Sequence, residues 1–335
     1  AAARDDATIH LCSEDFNEQF TIDLSRNLEP PPDMSWPNYF LGVLDQFGRK
    51  GMPFSGMEVL IKGDVPIGAG LSSSSAFEVC AATLVNESYG GILPRKEIAL
   101  LAQRAENGPF VGVACGIMDQ FAAVFAEADK ALLIDCHSLD YETVDLDCGA
   151  AIVIVDSMKR RDLLDSQYNR RREECEEGLE RIRALTGKKF ATIRHIPDEV
   201  FEKHQEKLPE NIRRRLRHIL RENARVHQFV GALERGYFRS AGNLLCESHR
   251  SLRDDFQVSC AELDCIVEAA CGCDGVLGCR MTGAGFGGCA VALVNPQRVE
   301  EFKQTVKSKF FQEFGVEPRI YVTRACAGAG FRALS

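Results

Sequence analysis

The stretch Pro66-Ile67-Gly68-Ala69-Gly70-Leu71-Ser72-Ser73-Ser74-Ser75-Ala76 constrains this chain more than any other. An apolar, strand-like run (Met57, Val59, Leu60, Ile61, Val65) leads into it, and a helix-like run (Phe77, Val79, Cys80, Leu84, Val85) leads out. Gly68 and Gly70 have no Cβ, so the backbone there can bend freely and approach a ligand closely. Ser72 to Ser75 fall where a helix begins, with unpaired N–H groups facing outward and the positive end of the helix dipole behind them. An anion is well placed at such a terminus. Read alone, the same serines serve equally well as a flexible linker or a plain helix cap. Placement between strand and helix favours the anion site.

Composition narrows the classes. The 335 residues are 45% hydrophobic and 27% charged, enough apolar material for a large core and a length that suggests two domains. With 40 basic against 49 acidic residues the net charge is −9, which argues against nucleic acid as a partner but not against a local anion site. No apolar run reaches membrane-spanning length and no secretory signal is present, so neither a membrane nor export is expected. Of fourteen cysteines, six fall between Cys260 and Cys289, yet Cys271-x-Cys273 lacks the paired spacing of a zinc site. Cysteines within apolar patterns pack as small hydrophobes. A reduced, cytoplasmic protein without zinc is the simpler expectation.

Thr8 to Cys12 and Phe20 to Leu24 read as a strand hairpin, and Trp36 to Phe47 has helical spacing. A strand at Met57 to Ile61 enters the serine motif, whose helix stops near Gly90-Gly91. Arg95 to Arg104 reads as helix, Phe121 to Phe125 as helix or strand, and Ala131 to Asp135 as strand. Ala150 to Val155 is wholly apolar and β-branched, as for a buried central strand. A domain boundary just before it gives domains 1–149 and 150–335. Ser166 to Thr186 and Asn211 to Arg235 are charged helices, and the basic face of the second (Arg213, Arg214, Arg215, Arg217, Arg221) reads as solvated. Further helices cover Ser240 to His249, Ala261 to Ala270 and Val299 to Phe311, with strands at Ala290 to Val294 and Arg319 to Thr323. Hairpin-like pairs among the helices favour α+β layers over a doubly wound sheet.

Three further constellations carry chemistry. The first glycine-serine loop is not a P-loop, since no Lys-Ser/Thr follows its glycines. Gly283 to Gly288 forms a second glycine cluster, but a strand rather than a helix follows, which discounts a dinucleotide site. Two such loops in different halves suggest one small-molecule cleft between domains. Asp119 lies in an apolar, glycine-punctuated loop, where a carboxylate is either a structural acceptor or catalytic. Glu106 with a serine hydroxyl offers the hard oxygens that Mg²⁺ takes beside substrate phosphates. Phosphate nest, hydroxyl, metal carboxylate and a second carboxylate are the parts of a phosphoryl-transfer site. Tyr168 follows a polar loop and reads as a sugar contact or as a core-packed helix-start tyrosine.

The stretches PIGAGLSSSSA (66–76), CGIMDQ (115–120), DSQYNRRREECE (165–176), SHRSLRDDFQVSCAELD (248–264) and GVLGCRMTGAGFGGC (275–289) occur in an order that resembles the galactokinases of the GHMP small-molecule kinase superfamily. The resemblance implies an α+β, two-domain fold: a ribosomal protein S5 domain 2-like N-terminal domain and a ferredoxin-like C-terminal one. It implies ATP and Mg²⁺ as cofactors and phosphorylation of galactose at its anomeric hydroxyl. Pro66, Gly68, Ala69, Gly70, Leu71, Ser72, Ser73 and Ser74 match the family's ATP-phosphate loop. Trp36 matches an aromatic near the adenine, and Gly283 and Gly285 lie in the third motif that closes over the site. Ser74 and Glu106 match the Mg²⁺ ligands. Asp119 matches the aspartate that takes or orients the proton of the sugar hydroxyl, with Gly116 and Tyr168 as further galactose contacts. A monomer is expected.

The sequence departs from that pattern in places. It begins Ala1-Ala2-Ala3-Arg4, and the family signature G-R-x-N-x-x-G-E-H-x-D-Y, which supplies an arginine near the catalytic aspartate and most sugar contacts, does not occur in it. From a chain that starts past that signature, weak or no sugar binding and poor activity are expected. The segment from Glu106 to Gly116 is one residue longer than the family spacing, through Gly108-Pro109; Ser75 and Ala284 replace a usual alanine and a common glycine. The alternatives to a galactokinase are a non-catalytic galactose- and ATP-binding regulatory paralogue, or a kinase for N-acetylgalactosamine or arabinose.

Overall fold

Alternation of apolar and polar side chains builds the first sheet. In β2 (Thr8–Ser13) the buried positions are Ile9, Leu11 and Ser13, a period of two that puts one face on the core. Ahead of it lies the short β1 (Ala2–Ala3), and after it β3 (Glu18–Asp23). Pro37 opens α1 (Pro37–Arg49), where its missing N–H costs nothing. β4 (Met57–Ile61) follows, and the sheet order is β1-β4-β2-β3, with β2 and β4 parallel. Ile9, Leu11, Met57 and Val59 share a buried cluster with Phe40, Leu44 and Phe47 of α1. The cluster also takes in α2 (Ser73–Ser88), α3 (Arg95–Asn107) and α4 (Met118–Phe125) through Val79, Val85, Leu101, Phe121 and Val124. Residues 121–125 are thus helix, not strand; Phe121 and Val124 meet the core one turn apart. The hairpin β5 (Lys130–Asp135) and β6 (Asp140–Asp145) follows; β6 is mostly polar and carried no strand pattern. The computed structural model describes residues 1–31, 33–160 and 164–333, and the side chains of these apart from 164–166 and 168.

The chain divides into two compact units, residues 1–67, 72–143 and 325–335 in one, 68–71 and 144–324 in the other. The sequence reading placed a single division at 149/150, just ahead of the strand that opens the second sheet. The return of the C-terminal segment to the first unit had no sequence signal. It is held by backbone bonds: Asp129 N donates to Ala325 O (3.1 Å), Gly328 N to Ala126 O (2.7 Å) and Ala329 N to Ala123 O (2.7 Å).

The second unit is built on β7 (Ala151–Asp156), then α5 (Leu164–Thr186), α6 (Asp198–His204), α7 (Glu210–Glu234), α8 (Phe238–Ser251) and α9 (Ala261–Cys271). β8 (Val276–Met281), β9 (Cys289–Val294), α10 (Val299–Phe314) and β10 (Arg319–Thr323) complete it. The strand order β10-β7-β9-β8, antiparallel throughout, is the ferredoxin-like arrangement with β7 inside the sheet, as its apolar composition required. Ile182, Ile212, Leu216 and Leu220 form a separate cluster between α5 and α7. On α7 the basic face is paired as well as solvated: Arg213 meets Glu206, Arg214 Glu210 and Arg217 Asp255. Arg215 departs from the solvated reading. It is buried, 2% exposed, against Glu174 of α5.

Candidate active site

The serine-rich loop uses the backbone freedom of its glycines. Gly68 and Gly70 sit at φ +72° and +74°. A Cβ on Gly68 would also lie 2.6 Å from Arg160 Nη1. Ser72 adopts the left-handed conformation as well, φ +58°, at a cost of about 1–2 kcal/mol for a residue with a Cβ. It is the N-cap of α2, but its hydroxyl does not cap. Ser72 Oγ donates to Asp119 Oδ2 at 2.5 Å. No side chain among the described residues caps the helix, so the first-turn N–H groups of Ser73, Ser74 and Ser75 remain for a ligand. Residues 68–71 pack with the second unit, where Cys289 Sγ donates to the buried Ala69 O at 3.1 Å. Pro66 and Leu71 are half-buried.

Glu106 is the polar hub of the first unit. It is 5% exposed and accepts hydrogen bonds from Ser74 Oγ (2.7 Å), Ser75 Oγ (3.2 Å), Gln120 Nε2 (2.6 Å) and Cys115 Sγ (3.3 Å). The start of α2, the loop before α4 and α4 itself thus converge on one carboxylate near the end of α3. Ser75, where the family carries alanine, uses its hydroxyl here. The extra residue at Gly108-Pro109 is taken up after Glu106: Gly112 N donates to Gly108 O (2.7 Å) and Val113 N to Glu106 O (3.0 Å). Burial, then the Glu106 charge, pushes the Cys115 thiol up to about 12. The same two causes push the fully buried Glu78 carboxyl up to about 10, so Glu78 is a neutral acid at physiological pH. Asp119 lies half-buried in the first turn of α4, and Gly116 is exposed just ahead of it.

An 810 Å³ cavity in the first unit joins aromatic walls to the serines. Trp36 is stacked on Phe16 with centroids 6.2 Å apart and lies 6.5 Å from Phe77, and Trp36 Nε1 donates to Glu18 Oε2 at 2.8 Å. Tyr39, Ser73 and Ser74 line the same cavity. Flat apolar walls beside an open helix N-terminus suit a purine base with a phosphate chain. Of these aromatics only Trp36 was a sequence candidate. Phe16, Tyr39 and Phe77 carry no binding signal in the sequence.

The second glycine loop lies in the second unit and runs into β9, which leaves no helix for a dinucleotide site. Gly285 sits at φ +85°, and a Cβ there would lie 2.1 Å from Val258 O. Phe286 N donates to Val258 O (2.7 Å), while Ser157 N and Oγ both donate to Gly288 O (2.9 and 2.7 Å). The loop, including Gly283 at φ +74°, is therefore held at several points. The backbone at Tyr168 is in α5, but its side chain lies outside the described residues.

Among the described residues no three His, Cys, Asp or Glu side chains gather as a metal cluster. Ser74 and Glu106 nonetheless bring a hydroxyl and a carboxylate together, a donor set that fits Mg²⁺ with phosphate oxygens and waters as its other ligands. Among the described residues no helix is long and apolar enough to cross a membrane.

Comparison with known proteins gives the family. Residues 38–127 match the GHMP kinases N terminal domain and residues 229–312 the GHMP kinases C terminal domain. A galactokinase of Roseiflexus sp. (strain RS-1) is 42% identical over 98% of this chain and 83% of its own length. The crystal structure of Lactococcus lactis galactokinase complexed with galactose superposes with a TM-score of 0.90 at 36% identity, covering 97% of this chain and 84% of that one. Methanococcus jannaschii mevalonate kinase, 18% identical over 97% of this chain and 86% of its own, shares the fold with a TM-score of 0.63. By sequence and by fold the chain belongs to the galactokinase family of the GHMP kinases.

Proposed function

We propose that this kinase transfers the γ-phosphoryl group of ATP to the anomeric hydroxyl of α-D-galactose, giving galactose 1-phosphate and ADP. The observation that carries the reading is the Ser72–Asp119 hydrogen bond beside the uncapped start of α2. It sets a carboxylate for the acceptor next to backbone donors for the phosphate donor. In the transfer the sugar oxygen bonds to phosphorus, the bond from phosphorus to the bridging oxygen breaks, and ADP leaves with the electron pair. Asp119 takes the hydroxyl proton or orients the hydroxyl, and Ser72 fixes the carboxylate's direction. The N–H groups of Ser73, Ser74 and Ser75 and the loops at Gly68–Leu71 and Gly283–Gly288 bind the triphosphate. The aromatic cavity around Trp36 takes the adenine. Gly116 and Tyr168 contact the sugar. Ser74 and Glu106 would hold Mg²⁺, which when bound supplies charge neutralisation at the phosphates. With little covalent work for the protein to do, rate comes from positioning and charge stabilisation.

The test is ADP release from ATP with galactose, N-acetylgalactosamine, arabinose or no sugar. Galactose should give the highest kcat/KM. Asp119→Asn should lower kcat at least 100-fold while the ATP dissociation constant stays within threefold. Near-native turnover in that variant would remove Asp119 from the chemistry, and equal rates with all sugars would remove galactose as the substrate.

A further inference from the structure

β8 is an edge strand, with β9 on one side only. Its outward edge runs against α8, whose His249 accepts from one of the strand's N–H groups. Gly242, Cys246 and His249 share one face of α8, at helical spacings of four and three. That face runs beside Leu277, Cys279 and Met281, at the strand spacing of two. At one end the backbones touch: a Cβ on Gly242 would lie 1.9 Å from Leu277 O. At the other end Met281 N donates to His249 Nδ1 at 3.2 Å. Met281 is the last residue of β8, and only Thr282 separates it from the loop Gly283–Gly288.

The contacts determine the state of the ring. A backbone N–H can only donate, so Nδ1 is the unprotonated nitrogen. Nε2 therefore carries the proton and donates to Asp264 Oδ1 at 3.1 Å. Asp264 Oδ1 also accepts from Ser259 Oγ at 2.6 Å. Burial pushes the Asp264 carboxyl up, but the hydrogen bonds from His249 and Ser259 outweigh it and hold the group below its ordinary value. His249 itself is 2% exposed. The segment that carries Ser259 also carries Val258, whose carbonyl accepts from Phe286 N in the middle of the loop. Beyond the loop, Cys289 Sγ donates to Ala69 O in the serine-rich motif. Gly283–Gly288 is thus fastened where it leaves β8, at its centre and where it enters β9; at the first point Thr282 N donates to Cys289 O at 2.9 Å, and the His249 imidazole is the side-chain fastening.

We infer that His249, oriented by Asp264, is a positioning residue for ATP: it fixes Met281 and so sets where the Gly283–Gly288 loop stands against the nucleotide. The inference rests on the reading of that loop as an ATP contact. His249 touches neither substrate, so its effect is on nucleotide affinity and not on the sugar.

Two conservative variants divide the ring's two bonds. His249→Asn keeps an acceptor at the Nδ1 position for Met281 N and gives up Asp264. His249→Gln reaches Asp264 and gives up Met281 N. Both lose the same buried ring, so a merely structural residue gives equal effects. We expect His249→Gln to raise the ATP dissociation constant about tenfold, with the galactose KM within twofold. His249→Asn should stay within threefold of the parent for ATP. Equal ATP affinities in the two variants, or a fall in thermal stability with ATP affinity unchanged in both, would overturn the inference. Should His249→Gln fail to fold, Asp264→Ala and His249→Asn decide it. The first must weaken ATP and the second must not. Gly285→Ala checks the underlying reading, because its Cβ would push the loop off Val258 O. Unchanged ATP affinity in Gly285→Ala would mean that the loop does not contact ATP, and the inference falls with that reading. Weakened affinity there, with native affinity in His249→Gln, would refute the role of His249 alone.

Discussion

Ser72 reaches Asp119 across 2.5 Å from a backbone at φ +58°, so the hydrogen bond that orients the acidic group depends on a conformation that a serine seldom adopts. Strain of this kind persists where the surroundings enforce it. The two contributions have opposite signs and can be separated. Ser72→Ala keeps the strained φ and loses the bond, worth about 1.5–3 kcal/mol to a charged acceptor. Ser72→Gly loses the bond but removes about 1 kcal/mol of strain. Chemical denaturation should therefore rank stability parent, then Ser72→Gly, then Ser72→Ala. Both variants should lower kcat more than they change ATP affinity. A Ser72→Ala variant as stable as the parent would show that the bond contributes nothing.

Much of this site was legible because its residues lie in short local patterns. The strand Met57–Ile61 alternates, the glycines and serines follow it, and a helix runs on, so the loop could be placed from one contiguous stretch. Asp119 and Glu106 could be named individually. The pairing of Ser74 with Glu106 came with the family resemblance, whereas the Ser72–Asp119 hydrogen bond carried no signal, since two helices lie between those residues in the chain. The aromatic cavity was hidden for the same reason: Phe16, Trp36 and Phe77 come from a hairpin turn, a helix start and another helix. β8 gave no strand pattern because Gly278 and Arg280 interrupt its apolar run, and its outer edge meets α8 through Met281 N and His249. Arg215 has the helical spacing of its solvated neighbours, and only the packing of α7 on α5 buries it.

Glu78 gives a pH dependence of defined sign. Its carboxyl is pushed from the ordinary 4.5 to about 10, so the unfolded chain ionises at a pH where the native state does not. The native state then binds the extra proton, and its stability falls as pH rises between those two values. Glu78→Gln has no proton to lose. Between pH 6 and pH 9 the parent's unfolding free energy should decline relative to Glu78→Gln by on the order of 1 kcal/mol per pH unit. Parallel pH profiles for the two proteins would show that Glu78 is ionised in the fold.

The Cys246 and Cys271 sulfurs lie 2.8 Å apart, at α8 and the end of α9. Either thiol can donate in that contact, and the shared hydrogen bond outweighs burial and holds the Cys246 thiol below its ordinary value. Iodoacetamide at pH 7 should therefore label Cys246 before the other cysteines, as read by peptide mass spectrometry. Cys271→Ala removes the hydrogen-bond partner and should slow labelling of Cys246 about tenfold. A Cys246 rate unaffected by that substitution would mean that the thiolate is not held by Cys271.

Glu174 and Arg215 form the buried pair whose loss should cost the second unit most. Arg215 Nε donates to Glu174 Oε2 at 2.6 Å and Nη2 to Gln257 Oε1 at 2.8 Å, with the side chains 2% and 8% exposed. Burial pushes the Glu174 carboxyl up, but the bonds from Arg215 and Asn211 hold it below its ordinary value. Glu174→Ala leaves the guanidinium buried without a counter-charge and should destabilise the protein by about 3–5 kcal/mol. In thermal terms the loss is on the order of 10 °C in Tm. Because the folded pKa is depressed, the pair's contribution is present above the ordinary carboxylate pKa of 4.5 and is lost as pH falls through the folded value. The gap between parent and Glu174→Ala should therefore be full at pH 7 and narrow below pH 4.5. Replacing both partners, Glu174→Leu with Arg215→Met, should recover most of the loss, since the cost of breaking such a pair is chiefly the stranded charge. A double variant no more stable than Glu174→Ala would instead assign the loss to packing between α5 and α7.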